Sequence, residues 1–313
     1  MTFAFVGAGG IGGYLGARLA AAGEDVVFIA RGHHLEAMQR EGLRLKSPEG
    51  DVRLERVRTT NDPAGIGPVD VVVAGVKLWD LESAMRSALP LVGKGTTVVG
   101  FQNGVEKEAI LGRVAGADRV VGGIAYISTE IEAPGVILKK GTLERFILGE
   151  LDTTKSARVQ RLCGAFSKAG IKAELSTDIT REIWEKFVFL ACNAALTTLL
   201  RLPLGPIREN PHSRELLLDA LREAVAVARA KQVALPENFA EDRLAFMDGL
   251  GPETRASMSV DLERGNRLEV EWLSGAIARM GRELGVPTPV HRVVADALAP
   301  FANGRPGVSN ATR

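Results

Sequence analysis

Cysteine is scarce in this chain. Two residues, Cys163 and Cys192, stand among 313, too few for a disulfide framework and without metal-ligand spacing. They are expected to be buried small apolar residues in a reducing cytoplasm. Charge of one sign is lacking as well: 39 Lys and Arg against 38 Asp and Glu give a formal +1, which offers no global attraction to nucleic acid or to an anionic membrane. Any anion site must therefore be local. The opening "MTFAFVGAGG" has no basic segment and runs directly into a strand pattern, unlike a signal peptide. The most apolar long stretch, "FVFLACNAALTTLL", falls short of the roughly 20 residues that cross a bilayer and reads as a core helix. No repeat or low-complexity segment appears, and the tail "NGRPGVSNATR" is expected to fray. What is present is length and apolar content, 313 residues at 46% hydrophobic, enough for two cores at roughly 100 to 200 residues each.

Residues 2–6, "TFAFV", read as a strand, and "GAGGIGGYLGARLAAAG" follows as a tight turn and a helix closed by Gly23. Gly7, Gly9 and Gly12 fit G-x-G-x-x-G, which permits the turn, close approach of a pyrophosphate and tight helix-on-strand packing. Amides at the helix start, around Gly10 and Ile11, would face the phosphates. A second strand at 26–30 ends on Arg31, where an NAD-binding chain offers an acid to the ribose 2′-hydroxyl. A guanidinium there pairs instead with a 2′-phosphate, so the expected cofactor is NADP(H). The alternative is a solvated arginine in a loop. His33 and His34 would help to surround the phosphate or stay merely exposed.

Strand and helix patterns alternate through 31–170, which implies a Rossmann-type doubly wound sheet. Lys77 and Asn103 each follow a strand, the place where such sheets bind ligands. The plainer readings are a solvated lysine and an Asn103-Gly104 backbone turn. The segment 130–150 reads as a hairpin with turns at Pro134-Gly135 and Lys140-Gly141. After a short strand in "AGIKAELSTD" the texture becomes all-helical, placing a boundary near 176–180 and two domains, 1–176 and 177–313. The helix starting near Ile179 carries Lys186, Asn193 and Thr197 along one stripe, and a polar stripe on a buried helix must face hydrogen-bond partners, a cleft or a ligand. Lys186 could equally snorkel at the edge of the apolar segment. In "ASMSVDLERGNRLEVEWLSGAIARMGRELG", read as a helical region, Glu269 shares an apolar face with Trp272, Leu273, Ala276 and Met280, whereas Glu271 points outward. A buried carboxylate needs a partner, and Lys186 is the candidate; otherwise Glu269 is an acid favoured near a helix start. Ser257, one turn before Asp261, is expected to cap or bond locally.

Together, "GAGGIGGYLGARLAAAG", "ARGHH", "VKLWD", "FQNGV", "EIWEKFVFL", "SMSVDLERGNRLEVEWLSGAI" and "GVPTPV" resemble the ketopantoate reductase (2-dehydropantoate 2-reductase) family over nearly the whole chain. The resemblance implies a Rossmann domain followed by a helical domain, NADPH as reductant, and reduction of 2-dehydropantoate to pantoate on the way to pantothenate. It implies Lys186 as the catalytic acid and Glu269 as the carboxylate beside it and the substrate hydroxyl. Lys77 and Asn103 would line the nicotinamide and substrate pocket, and Ser257 would touch substrate, with Asn193 a further substrate candidate. Where the family carries asparagines four and eight residues after the lysine, this chain has Leu190 and Ala194; Thr254 replaces a third, and Asp80 stands where Gln is frequent. These departures leave two alternatives, a paralogue reducing another 2-keto acid and a non-catalytic NADP(H)-binding sensor. No metal, nucleic-acid or membrane partner is expected, and a homodimer through the helical domain is compatible with its apolar stripe.

Overall fold

The computed structural model describes residues 1–306; of the tail 303–313 expected to fray, residues 307–313 lie outside the described residues, whereas 303–306 are held, the Gly304 amide donating to the Phe301 carbonyl at 2.9 Å and the Arg305 amide to the Gly265 carbonyl at 3.3 Å. By contact density the chain divides into two compact units, with the division between Thr180 and Arg181.

In the first unit the chain runs β1 (Thr2–Val6), α1 (Gly10–Ala21), β2 (Asp25–Ile29), α2 (Gly32–Glu41), β3 (Leu43–Lys46), β4 (Val52–Leu54) and β5 (Arg58–Thr60). It continues β6 (Val71–Ala74), α3 (Leu78–Ser87), β7 (Thr97–Gly100), α4 (Lys107–Ala115), β8 (Val120–Ala133), β9 (Val136–Gly149), α5 (Ala157–Lys168) and β10 (Ala173–Leu175). Among the described residues these strands form one ten-stranded sheet in the order β4-β3-β9-β8-β7-β6-β1-β2-β5, with β10 on β9. The segment β7-β6-β1-β2-β5 is parallel throughout, with the Val, Ile and Phe runs of β1, β2, β6 and β7 those of strands covered on both faces and the short polar β5 at the edge. Register pairs Val6 with both Ile29 and Ala74, and Ala74 with Gly100, so these carboxyl ends are level along one edge. The core packs Phe3, Phe5, Phe28, Phe101, Phe146 and Phe166 with aliphatic residues of α1 and α5.

The expected hairpin exists as β8 and β9, reversing at Pro134-Gly135. Lys140-Gly141 makes no second reversal. Ile127 pairs with Glu144 and Ser128 with Lys140, so residues 141–143 bulge out of β9 and the ladder resumes beyond them. The turn chemistry of Gly141, at φ +64, serves this bulge.

The second unit holds α6 (Ile179–Leu199), whose first two residues precede the division, then α7 (Leu204–Glu209), α8 (Pro211–Ala230), α9 (Phe239–Asp248), α10 (Ser257–Arg264), α11 (Ser274–Leu284) and α12 (Pro289–Leu298). Helix α6 is apolar nearly all round because it is buried, with Val188, Ala191, Cys192, Ala195 and Leu196 fully enclosed. Both cysteines are free and buried. Among the described residues, no helix is long and apolar enough to cross a membrane, and no cluster of His, Cys, Asp and Glu has metal-binding geometry.

Candidate active site

The first unit gathers its candidates on the carboxyl edge of the parallel strands. Gly7 follows β1, Arg31 follows β2, Lys77 follows β6 and Asn103 follows β7. The three motif glycines have three different physical reasons. Gly7 sits at φ +100, which a side chain rarely tolerates. A Cβ on Gly12 would lie 2.0 Å from the Gly7 carbonyl oxygen, so this glycine lets α1 pack on the turn. Gly9 has φ −69 and needs no special backbone freedom; the nearest atom to a Cβ there is the Gly75 oxygen at 3.8 Å. Neither conformation nor packing demands glycine at that position, which leaves open space for a ligand to approach the backbone. Gly10 closes the turn from the other side, where a Cβ would meet the Thr129 carbonyl of β8 at 2.5 Å. Ile11, next in α1, is half-buried against the core. A dinucleotide pyrophosphate fits this cradle, with the orphan amides at the start of α1 as donors.

Arg31 is the exposed N-cap residue of α2, and among the described residues its guanidinium has no hydrogen bond or ion pair. The two histidines beside it each have partners within the protein. His33 faces solvent and pairs with Glu36 at 3.2 Å. His34 is occupied by backbone: Nε2 donates to the Ala8 carbonyl at 2.9 Å and Nδ1 accepts from the Gly135 amide at 3.1 Å. Lys77 is the exposed N-cap residue of α3, its ammonium 5.5 Å from the centre of the Trp79 ring. Asn103 is half-buried before Gly104, whose φ of +99 confirms the turn. Its neighbour Gln102 was not singled out by sequence reasoning, although a Gln ahead of Asn-Gly at a strand end was visible. Gln102 Nε2 donates to the carbonyls of Ala74 at 2.9 Å and Val76 at 2.8 Å, fastening the segment that presents Lys77 to the one that presents Asn103.

In the second unit Lys186 is half-buried on α6. Asn193, 4% exposed, leaves its Oδ1 without a partner among the described residues, an orphan acceptor of the kind that buried sites resolve with water or ligand. Thr197 spends its hydroxyl on the Asn193 carbonyl one turn back, at 2.6 Å. Ser257 does not cap or bond locally: Ala256 is the N-cap residue of α10, and Ser257 is exposed with no hydrogen bond among the described residues. The serine that ties α10 to α6 is the buried Ser259, which donates to the Thr197 carbonyl at 3.1 Å and accepts from Arg255 at 2.9 Å. Glu269 is buried at 6% exposure and Glu271 is exposed, the expected polarity, but not within one helix. Gly265 enters the left-handed region at φ +71 and stops α10, and Asn266 folds back to bond Asp261 through both its backbone and its side chain. Glu269 instead precedes the 3₁₀ turn Val270–Trp272, its carbonyl accepting the amides of Trp272 and Leu273.

A glycine turn between a parallel strand and a helix, polar candidates ranked along the carboxyl edge, and a separate helical unit later in the chain define a two-unit dinucleotide-binding oxidoreductase. The family model for ketopantoate reductase PanE/ApbA matches residues 3–153, and that for its C-terminal part matches 178–302. The chain belongs to this family. It is 34% identical to a 2-dehydropantoate 2-reductase of Mesorhizobium japonicum, over 92% of this chain and 94% of that one. A PanE/ApbA family ketopantoate reductase of Ralstonia eutropha superposes with a TM-score of 0.87 at 30% identity, covering 96% of this chain and 98% of the other. The fold is shared as well by a D-mandelate dehydrogenase solved with NADH and anilino(oxo)acetate, with a TM-score of 0.86 at 22% identity and coverage of 96% and 98%.

Proposed function

We propose that the chain is an NADPH-dependent 2-keto acid reductase whose substrate is 2-dehydropantoate, reduced to pantoate. The observation that carries the cofactor reading is the guanidinium of Arg31 just beyond β2, which has no partner among the described residues and is suited to a 2′-phosphate. Gly7, Gly9, Gly10, Ile11 and Gly12 would hold the pyrophosphate, with Lys77 and Asn103 at the nicotinamide end. NADPH, when bound, supplies the hydride. Lys186, as an ammonium, polarises the keto oxygen and gives it a proton from Nζ as the carbonyl becomes an alcohol. Glu269 holds that ammonium in place and charged, and accepts a hydrogen bond from the substrate hydroxyl. Asn193 and Ser257 contribute further polar contacts, the orphan Oδ1 of Asn193 taking a donor from substrate or from a bound water. The same reading makes this a cytoplasmic enzyme of a small-molecule pathway, working as a homodimer.

A second reading has one specific support. Leu190 and Ala194, one and two turns beyond Lys186, offer no hydrogen bond to a polar substrate, which favours a bulkier or less polar 2-keto acid. NADPH oxidation measured with 2-dehydropantoate against a panel of 2-keto acids separates the two: turnover of another acid with none of 2-dehydropantoate would defeat the first. A non-catalytic NADP(H) sensor would turn over nothing while still binding NADPH.

A further inference from the structure

We propose that His34 is a positioning residue for the dinucleotide, a strap that aims the Gly9 amide at the pyrophosphate. This rests on the reading of the first unit as an NADPH site. The imidazole stands on α2, three residues after Arg31, and joins two backbone groups far away in sequence, Ala8 at a separation of 26 residues and Gly135 at 101. The two bonds fix its state. Gly135 N–H donates into Nδ1, so the ring proton is on Nε2 and donates to the Ala8 carbonyl. Burial lowers the pKa of this ring, in keeping with a neutral tautomer.

The consequence lies in peptide planarity. In a trans peptide the C=O and the following N–H point in opposite directions. Holding the Ala8 oxygen toward α2 therefore turns the Gly9 N–H the other way. That amide has no protein acceptor among the described residues, and the missing Cβ of Gly9 leaves its surroundings open. One ring thus sets the direction of an orphan donor in the phosphate cradle and ties that cradle to the helix bearing Arg31. The far end of the strap is itself anchored: the Gly135 carbonyl accepts from the Arg44 amide at 2.9 Å, and Gly10 abuts the Thr129 backbone of the same hairpin.

The test uses the full chain and three variants, with NADPH affinity read from nucleotide fluorescence and adenosine 2′-monophosphate affinity from competition. Adenosine 2′-monophosphate carries the group for Arg31 but no pyrophosphate. His34→Ala should weaken NADPH binding about tenfold, as expected if the population with the Gly9 amide correctly aimed falls to about a tenth, and leave adenosine 2′-monophosphate within about twofold of wild type, the scatter expected of a site that loses no direct contact. His34→Gln places an amide donor at the ε position, where it reaches Ala8, and should restore most of the NADPH affinity. His34→Asn keeps only an acceptor for Gly135 and should not. A general loss of structure would weaken both ligands in all variants alike, and that outcome overturns the proposal. So does unchanged NADPH binding in His34→Ala, or Gln restoring no more than Asn. Failure of the wild type to bind NADPH would overturn this and the proposed function together, whereas tight wild-type binding with an indifferent His34→Ala overturns this alone.

Discussion

Acid should loosen the helical unit through His291. The ring is completely enclosed; Nε2 lies 3.0 Å from the Ala220 carbonyl and 3.7 Å from Cys192 Sγ, and Nδ1 lies 3.2 Å from Ser274 Oγ. Burial pushes its pKa from 6.5 down to about 4. The unfolded chain takes up a proton near the upper value and the folded chain only near the lower one. Between them the unfolded state holds more protons, so stability falls as pH drops through that window and is fully present above it. A gap of that size corresponds to about 3 kcal/mol, a large share of a domain's net stability. Glu223 works in the opposite sense. Burial raises its carboxyl pKa despite the amides of His291 and Val290 that it accepts, so its contribution grows on acidification. That contribution is common to wild type and His291→Gln, and it cancels in their difference. Urea unfolding would be followed in a Trp79→Phe background, where Trp184 and Trp272, both in the helical unit, are the remaining tryptophans. Between neutral pH and about pH 4.5, wild type should lose roughly 2 to 3 kcal/mol more than His291→Gln. Parallel losses would refute the reasoning.

Arg31→Ala should weaken NADPH binding about tenfold or more while changing NADH binding little, since one charge-assisted contact to the 2′-phosphate is removed; equal changes in the two titrations would contradict the phosphate assignment. Gly9→Ala should fold with an unchanged melting temperature, because a methyl there meets nothing nearer than 3.8 Å, yet lose NADPH affinity in the same fluorescence titration. Gly12→Ala should instead cost stability, because its methyl would collide with the Gly7 carbonyl, and a lowered thermal midpoint reports it. Lys139→Ala should destabilise the first unit by about 3 kcal/mol in denaturant unfolding, since the buried ammonium is paired with Glu49 and with Glu144, and removing it strands the buried carboxylate of Glu144.

Much of this architecture was written locally. The glycine turn, a second strand just ahead of Arg31 and the start of α6 at Ile179 follow from residues within a few positions of each element; all three appear, with β2 ending at Ile29, two residues before Arg31. The inward Glu269 and outward Glu271 were legible from periodicity, but the helix assumed for them was not real. The pattern survived because a 3₁₀ turn keeps near-helical side-chain directions over one turn, while Gly265 in its left-handed conformation had already ended α10. Long-range pairing was illegible. The parallel register of Arg44 with Val136 brings β3 to the hairpin, and nothing in either short segment names the other. The partners of His34 were hidden for the same reason: they lie in a turn before it and a turn far after it, so a histidine beside Arg31 read as either a phosphate neighbour or a merely exposed loop residue. The buried Lys139 likewise depends on acids brought by separate strands and loops.

The central claim is that Lys186 delivers the proton during NADPH-dependent reduction of a 2-keto acid. Steady-state NADPH oxidation by Lys186→Ala, with 2-dehydropantoate saturating and NADPH affinity measured alongside, tests it most directly. A fall in kcat of about 10² to 10⁴ with NADPH affinity intact is the predicted result, the usual worth of a positioned general acid. Turnover within a few fold of wild type would contradict it.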